Sequence, residues 1–213
     1  MNALRASKAM SAATTYAQLR RVGARVLSTG EAAAALHTSQ SAASRSLRDL
    51  ERKGLARHVR FGLWMVGDEP MNPYALVGEL ARPFPGYVSF ASALATHGAI
   101  DQIPREISVA TLGKARRIAT PFGTYALHRL PPELFGGFVE REGVALATVE
   151  KAIFDYLYVA CASGHPDRRL PELDLPADFS EARLREWLPR IGSARLRTLV
   201  TAAIERTLTH AER

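Results

Sequence analysis

Ser28–Val66 reads STGEAAAALHTSQSAASRSLRDLERKGLARHVRFGLWMV, and its local signals define the architecture of the first part of the chain. Ser28 followed three residues later by Glu31 matches a capping box, so a short helix starts there and runs through the Ala32–Leu36 cluster. It breaks near His37 and Thr38. A second helix opens at or near Ser39 and carries Ala43, Leu47 and Leu50 at i, i+4 and i+7, a buried stripe at helical period. Gln40, Ser41, Ser44, Arg45, Arg48 and Arg52 fall on its opposite face, and Gly54 follows as the C′ stop. Two extended runs come next, Leu55–Val59 and Leu63–Val66, joined around Arg60, Phe61 and Gly62.

Helix, turn, helix and basic hairpin in this order predict a winged helix-turn-helix, a module that binds double-stranded DNA. The chemistry agrees with the order of parts. A recognition helix presents short polar groups and arginines to base edges, and a wing presents cations to phosphate. A winged helix used only for protein contacts, or an amphipathic pair with a solvated basic face, is the competing reading.

Charge follows the same division. The chain has 213 residues and a formal net charge of +7. Residues 1–70 hold 11 Lys/Arg against 5 Asp/Glu, and residues 71–213 hold 17 against 16, so the excess sits on the segment expected to meet a polyanion. The length suits two modest domains. The turn-rich GDEPMNP at residues 67–73 marks the joint, giving a winged helix-turn-helix over 1–70 and a mixed α+β domain over 71–213. The expected fold class is therefore α+β. A single cysteine, Cys161, excludes an internal disulfide and fits a reducing compartment. No apolar signal core follows the start, and the apolar run Ile153–Ala162 is interrupted by Asp155. A cytoplasmic protein without membrane partners is the expectation.

Outward from Ser28–Val66, residues 1–12 (MNALRASKAMSA) are expected to fray, with a basic arm available to the minor groove. Thr15–Arg25 reads as a first helix with Tyr16, Leu19 and Val22 inward. After the joint, Tyr74–Ala81 is a short helix ended by Pro83 and Pro85, and YVSFASALATHGAID passes from strand to helix at Ala91–His97. Glu106–Thr111, Arg117–Ala119 and Thr124–Arg129 suggest a small antiparallel sheet. Val144–Ala162 keeps helical spacing throughout and reads as one long buried helix. Helices at Ser180–Leu188 and Ser193–Leu208 close the chain.

Catalytic patterns are thin. The six histidines are scattered, with no HExxH-type pair and no cysteine partners for zinc. No phosphate-binding glycine loop and no nucleophile elbow occur. Glu51 and Lys53 would be the pair of a metal-dependent nuclease, but their place at the end of a helix favours surface charge. No enzyme activity and no cofactor are expected. Two further groups stand out: Lys114, Arg116 and Arg117 as a basic turn between strands, and Glu150, Lys151 and Asp155 within an otherwise apolar helix. Charges buried there are costly unless paired, so these three either face outward or join a hydrogen-bonded network.

The order of these parts resembles a known family. A winged helix, then YVSFASALATHGAID, then strands, then ATVEKAIFDYLY resembles the AbiEi-type antitoxins of type IV toxin–antitoxin systems, regulators of abortive infection and phage defence. The likeness spans about residues 15–205, and its most specific pieces are Ser89–Gly98 with Ile100 and the helix at Thr148–Asp155. The resemblance implies a transcriptional repressor that binds promoter inverted repeats of its own operon. It also implies an antitoxin countering a nucleotidyltransferase-like toxin without a stable complex, with the second domain serving antitoxicity and cooperative binding. DNA-contact candidates are Ser39, Gln40, Ser41, Ser44, Arg45, Arg48 and Arg52 on the helix, and Arg57 and Arg60 on the wing. Lys114, Arg116 and Arg117 are candidates to extend that face. The alternative is a protein-interaction module that neutralises a toxin by direct binding, with DNA binding secondary. One departure from the family is that the part after residue 165 is short and rich in Pro and Asp.

Overall fold

Serine caps set the helices of the first part of the chain, in a computed structural model that describes Ser11–Ala211. Helix α1 is Ala12–Arg20, capped by Ser11, whose hydroxyl accepts from the Thr14 N–H at 3.1 Å. The expectation that residues 1–12 fray therefore lies outside the described residues, except at Ser11 and Ala12. After strand β1 (Val26–Ser28), helix α2 (Thr29–Ala35) begins with both halves of a capping box. The Ser28 hydroxyl accepts from the Glu31 N–H at 3.1 Å, and the Glu31 carboxylate accepts from the Ser28 N–H at 2.7 Å. Helix α3 (Gln40–Arg52) is capped by Ser39, which accepts from the Ala42 N–H at 3.3 Å. Each such cap is worth about 1 kcal/mol.

Gly54 ends α3 at φ +73°, where the Leu55 N–H reaches the Leu50 carbonyl at 2.9 Å and the Gly54 N–H reaches Glu51 at 3.0 Å. Those two bonds are a Schellman motif, and the left-handed φ explains why glycine stands there. Strands β2 (Ala56–Arg60) and β3 (Leu63–Val66) follow. With β1 they form an antiparallel sheet of order β1-β3-β2. Leu19, Leu27, Ala32, Ala43, Leu47, Leu50, Trp64 and Val66 make one core between helices and sheet. Cutting Leu47 or Leu50 to alanine would cost about 2–5 kcal/mol.

Two expectations for this region are corrected. The first helix ends at Arg20, not Arg25, because Gly23 turns the chain at φ +79°. Val22 is consequently 46% exposed, and Thr15 takes an inward position beside Leu19. The hairpin also gains a third strand, β1, which pairs Leu27 with Trp64.

The chain divides into two compact units: one runs to Met71 and takes in Thr120–Phe122, and the other is Asn72–Ala119 with Gly123–Arg213. The second unit is mixed α+β. A 3-10 turn at Pro73–Leu76 leads into α4 (Val77–Ala81), β4 (Gly86–Val88) and α5 (Phe90–Thr96). Next come β5 (Ile107–Thr111), β6 (Arg116–Thr120), β7 (Gly123–Arg129), β8 (Phe138–Arg141) and β9 (Val144–Ala147). Helices α6 (Val149–Ala162), α7 (Glu181–Arg185) and α8 (Ala194–Ala211) complete it. The expected small antiparallel sheet is instead six-stranded and mixed, of order β6-β7-β5-β4-β9-β8, with β5/β7 and β4/β9 parallel.

The expected helix over Val144–Ala162 is corrected too. Its first four residues are β9, which pairs with β8 and sets Leu146 beside Val88 of β4. The helix starts only after Thr148, whose hydroxyl accepts from the Lys151 N–H at 3.3 Å. The penultimate helix is likewise shorter than Ser180–Leu188, ending at Arg185 before a 3-10 turn at Leu188–Arg190. Among the described residues no helix is long and apolar enough to cross a membrane.

Candidate nucleic-acid interface

Three acidic residues of the first unit, Glu69, Asp49 and Glu51, hold basic or backbone partners. Glu69 pairs with Arg25 and, at 3.6 Å, with Arg20. Asp49 pairs with Lys53 at 2.7 Å and Arg52 at 2.9 Å. Hydrogen bonds from Lys53 and then Arg52 hold its carboxyl below the usual range. Glu51 accepts the His58 N–H at 2.9 Å, tying the end of α3 to β2.

Arg45, Arg48, Arg57 and Arg60 are all exposed and have no ion pair among the described residues. On α3, Arg45, Arg48 and Arg52 stand at i, i+3 and i+7, one face of the helix. Gln40, Ser41 and Ser44 occupy its first turns, Gln40 and Ser41 exposed and Ser44 half-buried. The Ser39 and Ser41 hydroxyls lie 3.0 Å apart. Arg52 differs from the other arginines in already holding a partner, Asp49.

The hairpin carries a device that the residue pattern does not announce. Arg57 pairs opposite Met65 and Arg60 opposite Leu63, with the register slipping between His58 and Arg60. Residues three apart in a regular strand point to opposite faces. Val59 is the extra residue of a β-bulge, so Arg57 and Arg60 stand on the same face, away from the core side that His58 and Trp64 share. The hairpin tip is tied down as well. The Gly62 carbonyl accepts from the Thr29 N–H at 2.8 Å, and the Trp64 indole N–H donates to the Thr29 hydroxyl at 3.1 Å.

Lys114, Arg116 and Arg117 belong to the second unit, and only Lys114 lies in the link between β5 and β6; Arg116 and Arg117 open β6. Arg116 donates to the Leu80 carbonyl at 2.8 Å, and Arg117 pairs with Glu106 at 3.1 Å. The expected basic turn is thus one exposed lysine followed by two strand arginines with partners.

A second polar cluster sits in α6 and is closed to ligands. Lys151 and Asp155 are fully buried and paired to each other. Asp155 also accepts from the Ser89 hydroxyl at 2.7 Å and the Tyr87 hydroxyl at 3.0 Å. Lys151 donates to the Leu134 carbonyl at 2.7 Å and lies 4.2 Å from the Trp187 ring centroid. Burial pushes the Asp155 carboxyl up and the Lys151 ammonium down, and each partner opposes the other's shift. Gly137 permits this packing: at φ +71°, a Cβ there would meet Trp187 at 2.7 Å and Lys151 at 2.9 Å. Glu150 accepts from the Ser180 N–H at 3.0 Å and from Arg183. Of the two outcomes expected for these three residues, the hydrogen-bonded network is the one adopted. Every buried side-chain polar atom among the described residues has a partner, so the cluster reads as a fastening of α6 to β4.

Among the described residues no group of three or more His, Cys, Asp or Glu side chains is placed to hold a metal ion. Among the described residues the first unit offers a stripe of short polar groups with Arg45 and Arg48 free of ion pairs on one helix, and, on one face of an anchored hairpin, Arg60 and Arg57, the latter 5.4 Å from the Phe122 ring centroid. Compared with protein-family models and with curated proteins, the chain matches none.

Proposed function

We propose that the first unit is a winged helix-turn-helix that binds double-stranded DNA, with α3 as the recognition helix and β2–β3 as the wing. The observation that carries this reading is the distribution of partners. Among the described residues the unit pairs Arg20, Arg25, Arg52 and Lys53 with its own acids and leaves Arg21, Arg45, Arg48, Arg57 and Arg60 without an acidic partner, four of those five on α3 and the hairpin. Exposed cations without acidic neighbours release counterions when they meet phosphate, which is the main source of affinity for a nucleic acid. Arg45 and Arg48 read guanine or clamp phosphate, Gln40 pairs with adenine, and Ser39, Ser41 and Ser44 supply short donors. Arg57 and Arg60 hold the backbone.

On the resemblance to AbiEi-type antitoxins, the protein is a cytoplasmic transcriptional repressor of its own toxin–antitoxin operon. The second unit supports cooperative binding and antitoxicity against a nucleotidyltransferase-like toxin, without a stable complex. Footprinting of the full chain on the DNA upstream of its gene tests the repressor reading. Protection of two inverted half-sites is expected, and an unprotected upstream region would refute it. Co-expression with the neighbouring gene product tests the rest: relief of toxicity without co-purification is expected. A stoichiometric complex would favour neutralisation by direct binding instead.

A further inference from the structure

Phe61 is 96% exposed, at the two-residue tip of the β2–β3 hairpin. Single exposed apolar residues are ordinary on protein surfaces, so exposure alone says little. Its setting says more. Arg60 immediately before it is exposed and has no ion pair among the described residues, and Gly62 immediately after it turns at φ +75°. The Gly62 carbonyl is held by the Thr29 N–H at 2.8 Å, and Thr29 is held in turn by the Trp64 indole at 3.1 Å. Thr29 is the first residue of α2, which leads through one turn into α3. The ring is thus carried by a tip fixed to the same helical pair that bears Arg45 and Arg48.

We infer that Phe61 is an apolar wedge that enters the minor groove flanking each half-site and opens a base step there, with Arg60 holding the adjoining phosphates. The inference rests on the DNA-binding reading above and adds how the wing engages its target. An apolar side chain inserted between base pairs unstacks them and bends the duplex, and the bend is repaid by wider contact with protein. A wedge must be exposed, stiffly mounted and accompanied by a cation, and Phe61, with Arg60 beside it, meets all three conditions. Such a wedge selects deformable pyrimidine–purine steps, so it contributes specificity at positions that no base-reading side chain touches.

The test uses the full chain and its upstream DNA, with 2-aminopurine substituted at successive steps across the protected sequence. Wild type should brighten the probe at one step beside each half-site. Phe61→Ala should abolish that signal and bind about tenfold more weakly, whereas Phe61→Trp should keep both. Equal brightening by wild type and Phe61→Ala would overturn the wedge while leaving DNA binding intact. So would an unchanged footprint together with loss of self-association in sedimentation, which would make Phe61 a protein contact. Absence of binding by wild type would overturn the DNA-binding reading itself, a result distinct from either. Because Phe61 packs against nothing buried, these variants fold if the wild type does, which a matched unfolding curve checks.

Discussion

Lys151 and Arg48 are both helical cations, and the two units treat them in opposite ways. Lys151 has no exposure at all, and its ammonium is saturated by Asp155, the Leu134 carbonyl and the face of Trp187. Arg48 is exposed on α3 with no ion pair among the described residues. A charge taken out of water must be compensated where it stands, so Lys151 is committed to the fold. A charge left in water without a partner costs the fold nothing and stays available for binding. Partner and burial separate a charge committed to the fold from one the fold leaves available, where residue type alone cannot.

The largest effect expected from this contrast falls on the buried pair. Asp155→Ala strands the Lys151 ammonium and should lower unfolding free energy by about 3–5 kcal/mol in urea titration. Replacing both partners together, as Lys151→Met with Asp155→Leu, should cost much less, since no lone charge remains. A small loss for Asp155→Ala would erase the distinction between the two kinds of cation.

Arg45→Ala and Arg48→Ala should do the reverse. Each should leave stability within about 0.5 kcal/mol and weaken binding to upstream DNA by about 1–3 kcal/mol, relaxing preference at one base position. On the hairpin, Arg60→Ala should weaken all duplexes alike and reduce the slope of log K against log salt by about one. Arg57→Ala should act in the same direction, because the bulge at Val59 sets both on one face, although the Arg57 guanidinium also lies over the Phe122 ring. The smallest effect belongs to Arg52→Ala. Its partner Asp49 already competes for it, so its loss should change affinity and stability by less than about 1 kcal/mol each.

The α2–α3 pair was legible in the residues because its signals are local: serine caps at Ser28 and Ser39, a helical stripe at Ala43, Leu47 and Leu50, and Gly54 at the stop. The α+β class was legible on the same grounds. What escaped depends on distant partners. Strand β1 is only three residues long and earns its conformation by pairing with β3, leaving no pattern of its own. Val144–Ala147 carries no breaker, and Val-Ala-Leu-Ala fits a helix as well as a strand. Its identity is settled by β8 and β4 on either side, and by a turn at Glu142–Gly143 with both residues at positive φ. The parallel pairing of β5 with β7 is a matter of topology that alternation within a strand cannot report. At the candidate interface the residues themselves stand out in the sequence, but the bulge that aligns Arg57 with Arg60 does not. Nor does the pairing that occupies Arg52, Arg116 and Arg117.

Fluorescence anisotropy of the full chain on its own upstream DNA and on a scrambled duplex, from about 50 to 200 mM salt, is the most direct test that α3 and the hairpin form a DNA-reading surface. The account predicts tight binding to the upstream duplex, a steep salt dependence, and loss of the preference over scrambled DNA in an Arg45→Ala/Arg48→Ala variant that unfolds like wild type. Equal affinity of wild type for both duplexes, or a double variant that still prefers the upstream DNA, would contradict it.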